Sequence, residues 1–285
     1  MGEPAVGETP PRVLTIAGTD SGGGAGVAAD LRALTACGVH GCVAVTAVTV
    51  QDTLGVSGVH VLPPETVAAQ IEAVATDIGL GAVKTGMLAG APTIEAIAAA
   101  CDRVGIGVGV DGDGGVPLVV DPVAASMSGD QLLADSALDA FRKLLFPRAT
   151  LLTPNLHEVR LLVGVDVHGR AAQYAAAAAL HALGPRYVLV KGGHLVEDRR
   201  TCVDVLHDGD TFVELPGPRF DTRHTHGGGD SMASAIAAAL ARGMAVPEAV
   251  AFAKRYVVEA VRHAYPLGAG HGPVSPLWTV RRWWE

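Results

Sequence analysis

Aromatic residues are scarce in this chain of 285 residues: they make up 4% of it, and the three tryptophans all lie within the last eight positions. The buried mass therefore has to come from alanine, valine and leucine. Hydrophobic residues make up 49% of the chain and charged residues 18%, which argues against disorder and leaves ample material for a core. This composition is typical of small-residue helices packed against a valine-rich parallel sheet.

Basic residues are also in short supply. Lys and Arg number 21 against 29 Asp and Glu, which gives a formal charge of −8, and they form no cluster. Such a chain cannot neutralise a row of phosphates, so we expect no nucleic-acid partner. The four cysteines form no Cys-x-x-Cys motif and no His/Cys ligand spacing. A metal ribbon or a disulfide scaffold is therefore disfavoured, and a reducing cytoplasm is the expected compartment.

Long hydrophobic runs are missing as well. The longest uncharged stretch, residues 33–51, is interrupted by Gly38, His40 and Gly41 and is typical of a helix end followed by a strand. The stretch MGEPAVGETPPR has no basic region leading into an apolar one, so we expect neither a signal peptide nor a membrane partner. No linker long enough to divide domains occurs. We therefore expect a disordered tail over residues 1–11 and a single domain over residues 12–285.

Strand-like and helix-like segments alternate at a spacing of about 20–40 residues, which predicts right-handed βαβ units and a mainly parallel sheet. The predicted strands are residues 13–18, 43–50, 82–87, 118–123, 151–153 and 188–191. The predicted helices are residues 25–37, 64–78, 93–104, 133–145, 231–242 and 247–263.

Two segments depart from this alternation. Residues 105–116 are rich in glycine, and the end of this stretch, DGDGGV, predicts a mobile surface loop. Residues 203–215 contain two β-like runs around Asp208-Gly209. That pattern predicts a hairpin and hence an antiparallel edge to the sheet.

Two glycine-rich segments each precede a predicted helix. The first is GTDSGGGAG, from Gly18 to Gly26, which lets a ligand approach the backbone but could equally be an ordinary tight turn. The second is THGGGDS, from Thr225 to Ser231, whose glycines can present successive N–H groups to an anion. Asp230 then lies where a carboxylate could accept the proton of a hydroxyl group, as phosphoryl transfer to an alcohol requires. The alternative is that Asp230 is an ordinary helix N-cap.

Polar residues also follow two later strands. Asn155 and Glu158, in TPNLHE, are three residues apart and could share the water shell of one Mg²⁺ ion. They equally fit a capping box at the start of a helix. Lys191 ends a predicted buried strand and is either a phosphate contact or a surface charge.

Seven motifs, in this order along the chain, together resemble the ribokinase-like superfamily and, within it, the hydroxymethylpyrimidine/phosphomethylpyrimidine kinases of thiamine biosynthesis. The motifs are VLTIAGTDSGGGAG, AVTVQDTLGV, VKTGMLA, VVDPV, LLTPNLHE, VLVKGGH and HGGGD, and the resemblance extends over residues 12–276. It implies an α/β fold with a central, mostly parallel sheet, helices on both faces and the small antiparallel hairpin edge. It also implies ATP and Mg²⁺ as cofactors, is compatible with a monovalent cation, and points to a homodimer.

The resemblance assigns a role to individual residues. The set that binds the pyrimidine substrate is Gly18, Asp20, Asp30, Gln51, Met87 and Val123. The remaining roles are the nucleotide contacts Asn155 and Lys191, the metal-region carboxylates Glu158 and Asp121, the anion hole of Gly227, Gly228 and Gly229, and the base Asp230. An acceptor and an amide can read the edge of an aminopyrimidine, which suits Asp30 and Gln51.

This chain departs from the pattern at one position that matters for the chemistry. Many members carry a cysteine where Asp230 stands, whereas sugar and nucleoside kinases of the superfamily carry an aspartate there. Three functions are therefore weighed: the two-step pyrimidine kinase, a pyridoxal kinase of the same superfamily, and a non-catalytic module that binds a small molecule. An aspartate beside an intact glycine nest argues against the last, because a pure binding protein has no need of a base.

Overall fold

The computed structural model describes residues 9–107, 115–124, 135–193, 195, 200–276 and 278–283. The strands among them are β1 (Arg12–Ala17), β2 (His40–Val45), β3 (Ala47–Gln51), β4 (Val56–Val61), β5 (Ala82–Thr85), β6 (Leu118–Val120), β7 (Leu151–Leu152), β8 (Tyr187–Val190), β9 (Thr201–His207) and β10 (Phe212–Pro218). The helices are α1 (Gly26–Ala36), α2 (Pro64–Asp77), α3 (Ala91–Val104), α4 (Asp135–Ala140), α5 (Leu156–Val163), α6 (Arg170–His181), α7 (Gly228–Ala241) and α8 (Val246–Arg262). A π turn (Phe141–Leu145) and a 3-10 turn (Phe146–Arg148) continue α4, and a second 3-10 turn covers Trp278–Trp283.

An eight-stranded sheet forms the centre of the molecule, in the order β10-β9-β8-β7-β6-β5-β1-β2. Strands β8, β7, β6, β5, β1 and β2 pair in parallel, and the antiparallel hairpin β9–β10 closes one edge. The predicted fold class is therefore confirmed, as is the hairpin around Asp208-Gly209.

Helices cover both faces of the sheet, because successive strand residues point to opposite sides. In β1, Leu14 and Ile16 belong to the apolar cluster that includes residues of α2, α3, α5 and α6. Val13, which precedes Leu14 and points to the other side, belongs to the opposite cluster with residues of α1, α7 and α8. Alanine supplies much of α7, so this helix lies close against the strands.

The structure corrects several predicted elements. The single strand expected at residues 43–50 is two strands that break at Thr46, whose N–H donates to the carbonyl of Ala17 and whose hydroxyl donates to that of Met87 at 2.6 Å. After this break the chain leaves the main sheet, and β3 pairs with β4 in a separate antiparallel ribbon that the sequence did not predict. Helix α6 was also missed, whereas the helix start expected at Asn155 is that of α5. The helix predicted at residues 133–145 is present from Asp135 and ends in the π turn.

Parts of three predictions lie outside the described residues. These are residues 1–8 of the expected disordered tail, residues 108–114 of the glycine-rich loop, and residues 133–134 of the fourth predicted helix. The single domain over residues 12–285 stays a prediction. None of the helices in the described part of the chain is long and apolar enough to cross a membrane.

Candidate active site

The carboxyl ends of the parallel strands meet along one edge of the sheet, where open α/β proteins bind ligands. At this edge, five strands are each followed by a residue that was predicted to belong to the site. These residues are Gly18 after β1, Met87 after β5, Asp121 after β6, Asn155 after β7 and Lys191 after β8. The sheet order places these strands side by side. The start of α7 points into the same region.

The first turn of α7 begins at the glycines that were expected to hold an anion. Gly227 is the N-cap, with a φ of +74°, and the helix begins at Gly228. The alternative that Asp230 caps the helix is therefore wrong, because Asp230 lies in its first turn. Backbone N–H groups at the start of a helix have no partner within that helix, and the helix dipole favours negative charge there. A Cβ built on Gly229 would lie 3.3 Å from Lys191 Nζ and 3.7 Å from Asp121 Oδ2, so the nest faces both side chains.

Lys84 connects this helix to the centre of the sheet. It was not among the residues predicted to belong to the site. Its Nζ, buried at the end of β5, lies 3.0 Å from Asp230 Oδ1 and within 3.0 Å of both carboxylate oxygens of Asp30. Burial lowers the pKa of Lys84, but Asp30 and Asp230 outweigh this effect, so the pKa lies above its usual range.

Asp30 was expected to bind the substrate, and in the structure its carboxylate lies in the interior, beneath the site. Its carboxylate is 0% exposed, and besides Lys84 it accepts hydrogen bonds from Thr15 Oγ1 at 2.6 Å and Ser234 Oγ at 2.8 Å. Burial raises the pKa of Asp30 to about 6, and the Lys84 ammonium opposes this. The carboxylate is thus fully engaged beneath the site. An isolated carboxylate on a helix gives no sign in the sequence of which way it points.

A second cluster of charges lies on the other side of the nest. Lys191 Nζ lies 2.9 Å from Asp121 Oδ1, and Thr153 Oγ1 donates to the same oxygen at 3.2 Å. Burial lowers the pKa of Lys191, but the carboxylates of Asp121 and Glu158 raise it further, so the ammonium stays charged. Lys191 is therefore paired at the site and is not a solvated surface charge.

Asn155 and Glu158 form the capping box that the sequence allowed. Asn155 Oδ1 accepts from the Glu158 N–H at 3.0 Å, and Glu158 Oε2 accepts from the Asn155 N–H at 2.7 Å. Glu158 is buried, which raises its pKa to about 7, and Lys191 opposes the shift. The capping box explains these two hydrogen bonds. A cation bound beside Glu158 would favour the ionised form of its carboxylate.

The described residues contain no ready-made cage of three or more His, Cys, Asp or Glu for a metal ion. Mg²⁺ does not require one, since it keeps several waters and is commonly held by one or two carboxylates together with substrate phosphates. Asp121 and Glu158, both buried beside the nest, match that donor set.

Four further residues were expected to bind the substrate ring: Gly18, Met87, Gln51 and Val123. A Cβ built on Gly18 would overlap Met87 Cε, so these two residues line the same space. Gln51 ends β3, and its backbone N–H and C=O both bond to the hydroxyl of Ser21. Val123 follows Asp121 with a φ of +36°, a sparsely populated conformation for a β-branched residue and one that is common at functional sites.

Asp20 was expected to bind the substrate, and in the structure its carboxylate bonds to backbone groups of the first glycine-rich loop. Its carboxylate accepts hydrogen bonds from the N–H groups of Gly22, Gly24 and Ala25 at 2.8–3.0 Å, which holds the first glycine-rich loop in shape. His226 Nε2 lies 3.0 Å from the same carboxylate and links this loop to the nest. Asp20 therefore shapes the site through the backbone. The 206-residue separation of this pair left no signal in the sequence.

Comparisons with known proteins agree with this geometry. The family model described as phosphomethylpyrimidine kinase matches residues 20–275. The hydroxymethylpyrimidine/phosphomethylpyrimidine kinase of Mycobacterium tuberculosis is 59% identical over 274 residues, which cover 96% of each chain. Among solved structures, the ADP complex of Bacillus subtilis pyridoxal kinase has a TM-score of 0.85 at 33% identity, covering 96% of this chain and 100% of that one. The Clostridium difficile phosphomethylpyrimidine kinase has a TM-score of 0.76 at 36% identity, covering 88% and 99%. The chain belongs to the phosphomethylpyrimidine kinase family.

Proposed function

We propose that this protein is an ATP-dependent kinase of thiamine biosynthesis. It phosphorylates 4-amino-5-hydroxymethyl-2-methylpyrimidine and then converts the monophosphate to the diphosphate. The observation that carries the proposal is the pairing of a glycine nest with a carboxylate in the first turn of α7, directly beside Lys191 and Asp121. Relatives that carry these two activities in their names match nearly the whole chain.

We propose one task for each group. The N–H groups at Gly227, Gly228 and Gly229 stabilise the charge on the phosphoryl group in transfer. Asp230 accepts the proton of the attacking hydroxyl. Lys191 contacts the nucleotide phosphates, and Asn155 shapes the nucleotide side of the site through its cap. Asp121 and Glu158 would hold Mg²⁺, which would neutralise phosphate charge when bound.

The variant Glu158→Gln separates the metal role from the capping role. Glutamine serves in a capping box as glutamate does, so the hydrogen bond to the Asn155 N–H is retained. We expect the melting temperature to change little and the Mg²⁺ concentration for half-maximal rate to rise. Titration of the rate with Mg²⁺ at saturating substrate measures the effect. An unchanged Mg²⁺ requirement would leave Glu158 as a cap alone.

Gln51 is proposed to read the donor and acceptor edge of the pyrimidine from the end of β3. Replacing it with leucine leaves a buried ring nitrogen or amine unpaired, which costs about 1–3 kcal/mol, or about 5- to 150-fold in affinity. We expect Gln51→Leu to weaken pyrimidine binding by this factor and to leave the affinity for a non-hydrolysable ATP analogue nearly unchanged. Calorimetry with each ligand tests this, and normal pyrimidine binding would place the ring elsewhere.

Pyridoxal kinase is the second candidate, because several solved structures similar to this chain carry that name, including a Staphylococcus aureus enzyme with pyridoxal bound. Both substrates are aromatic nitrogen rings with a hydroxymethyl group. ATP consumption measured side by side with hydroxymethylpyrimidine and pyridoxal separates them. Our proposal requires a higher kcat/KM for hydroxymethylpyrimidine, and the reverse order would assign the protein to pyridoxal.

The ribbon β3–β4 supports the proposal of a homodimer. Val48, Val50, Val56, Val59 and Val61 are between 46% and 63% exposed on this two-stranded ribbon. A second copy would cover this apolar surface. Sedimentation equilibrium tests it, and a single species of 29.0 kDa at micromolar concentration would contradict it.

A cytoplasmic location is also proposed, supported by four free cysteines.

A further inference from the structure

A buried chain of charged groups runs from the interior of the sheet to Asp230. Lys84 is 0% exposed, and its Nζ has three carboxylate oxygens within hydrogen-bond distance: Asp30 Oδ1 at 2.8 Å, Asp30 Oδ2 at 3.0 Å and Asp230 Oδ1 at 3.0 Å. An ammonium group has three N–H donors, so these acceptors match its capacity.

Asp30 is itself fixed in place. Thr15 Oγ1, on β1, donates to its Oδ2, and Ser234 Oγ, one turn further along α7 than Asp230, donates to its Oδ1. Lys84 is thus anchored from β1, α1 and α7 before it reaches Asp230. The side chain of Asp230 is 17% exposed and has Oδ1 on the lysine. Its other oxygen remains for the site.

Asp30 compensates the positive charge of Lys84 in the interior of the sheet. If Asp30 were absent, Lys84 would pair with Asp230 alone, and its ammonium group would no longer be held from β1 and α1. If Lys84 were absent, the carboxylates of Asp30 and Asp230 would face each other with no cation between them. Both members are therefore needed to hold Asp230 in one orientation.

We propose that Lys84 and Asp30 are positioning residues that hold Asp230 in the orientation that accepts the hydroxyl proton in the first phosphorylation. This rests on the proposed function of Asp230 as the base. Misplacing a reacting group by about 1 Å can cost about 10²-fold in rate. The second phosphorylation, whose acceptor is already ionised, does not depend on that orientation.

Replacing Lys84 alone would leave Asp30 buried without a counter-ion and could unfold the protein, since breaking a buried pair destabilises by about 3–5 kcal/mol. The test therefore removes both charges together in Lys84→Met/Asp30→Asn, a change that is often neutral in stability. A matched control is Lys254→Met/Asp204→Asn. It removes another buried lysine–aspartate pair, 2.7 Å apart, between α8 and β9.

The experiment compares kcat with hydroxymethylpyrimidine and with its monophosphate in five proteins. They are the wild type, the Lys84/Asp30 pair variant, Asp230→Asn, the triple variant that combines them, and the Lys254/Asp204 control pair. We expect the pair variant to lose about 10- to 100-fold with the alcohol and less than about threefold with the monophosphate. In the triple variant, the alcohol reaction should be no slower than with Asp230→Asn alone, because residues that act as a unit are not additive. The control pair should affect both acceptors equally.

Four results overturn the proposal. Equal losses with both acceptors would show that the pair only supports the fold, and additive losses in the triple variant would show that it acts without Asp230. If Asp230→Asn slows the alcohol reaction while the pair variant does not, positioning fails and the base role stands. If Asp230→Asn leaves the alcohol reaction unchanged, the base role fails and this inference fails with it.

Discussion

Asp230→Asn is expected to slow the phosphorylation of the alcohol by about 10²- to 10⁴-fold, which is the usual contribution of a general base. The hydroxyl group of the pyrimidine is un-ionised at neutral pH, so its proton has to be accepted during transfer. Asn retains an oxygen that can accept from Lys84, so the local fold is preserved. The loss should therefore appear in kcat with little change in melting temperature.

The same variant should have a small effect on the second phosphorylation. A phosphate monoester has a second pKa of about 6 and is mostly a dianion at neutral pH. Its oxygen attacks without losing a proton, and a neighbouring carboxylate repels it. We therefore expect Asp230→Asn to reduce this reaction by less than about tenfold, or to accelerate it.

Paired steady-state assays, one for each acceptor, measure the difference. Glu248→Gln is a suitable control, because it removes an exposed acidic side chain from the first turn of another helix, α8. It should leave both rates unchanged. Equal losses of both reactions in a well-folded Asp230→Asn would assign Asp230 to placement of ATP and Mg²⁺, and an unaffected first reaction would remove it from the catalytic residues.

Gly227→Ala is expected to slow both reactions by about 10²- to 10³-fold, because each transfer develops charge on the same phosphoryl group and loss of one such donor has this cost. Gly227 has a φ of +74°, and a Cβ there would overlap the carbonyl oxygen of Gly24. The first turn of α7 must shift to accommodate it, which moves the N–H groups of the nest.

Gly243 provides the matched control at the other end of the same helix. It has a φ of +82°, yet a Cβ built there meets no atom within 4 Å. Gly243→Ala therefore carries the backbone strain of a left-handed residue, about 1–2 kcal/mol, without the clash. We expect it to lower the melting temperature and to leave both rates intact. If Gly227→Ala kept full activity, the phosphoryl group would not lie in the nest.

The sequence predicted the architecture well where local patterns carry the information. Alternating strand and helix segments gave the parallel sheet, and Asp208-Gly209 gave the edge hairpin. The ribbon β3–β4 was missed. Its valines are exposed, so it lacks the buried apolar face by which a strand is normally recognised. Helix α6 was also missed, although its alanine-rich sequence favours a helix.

The site was predicted less completely, because its key contacts join residues that are far apart in the chain. The order of the motifs along the chain, through the family resemblance, predicted that Asp121, Lys191 and the nest belong to one site. No local pattern could show that Asp30 faces Lys84, 54 residues away, instead of the pocket. A lysine within an apolar strand motif, VKTGMLA, was the available signal, since lysine is almost never fully buried unless it is paired.

The most direct test of the account is a ³¹P NMR time course of the purified protein with ATP, Mg²⁺ and hydroxymethylpyrimidine. We expect a monophosphate resonance to appear first and to be replaced by the two coupled resonances of the pyrimidine diphosphate. A reaction that stops at the monophosphate, or that proceeds with pyridoxal and not with the pyrimidine, would contradict the two-step kinase.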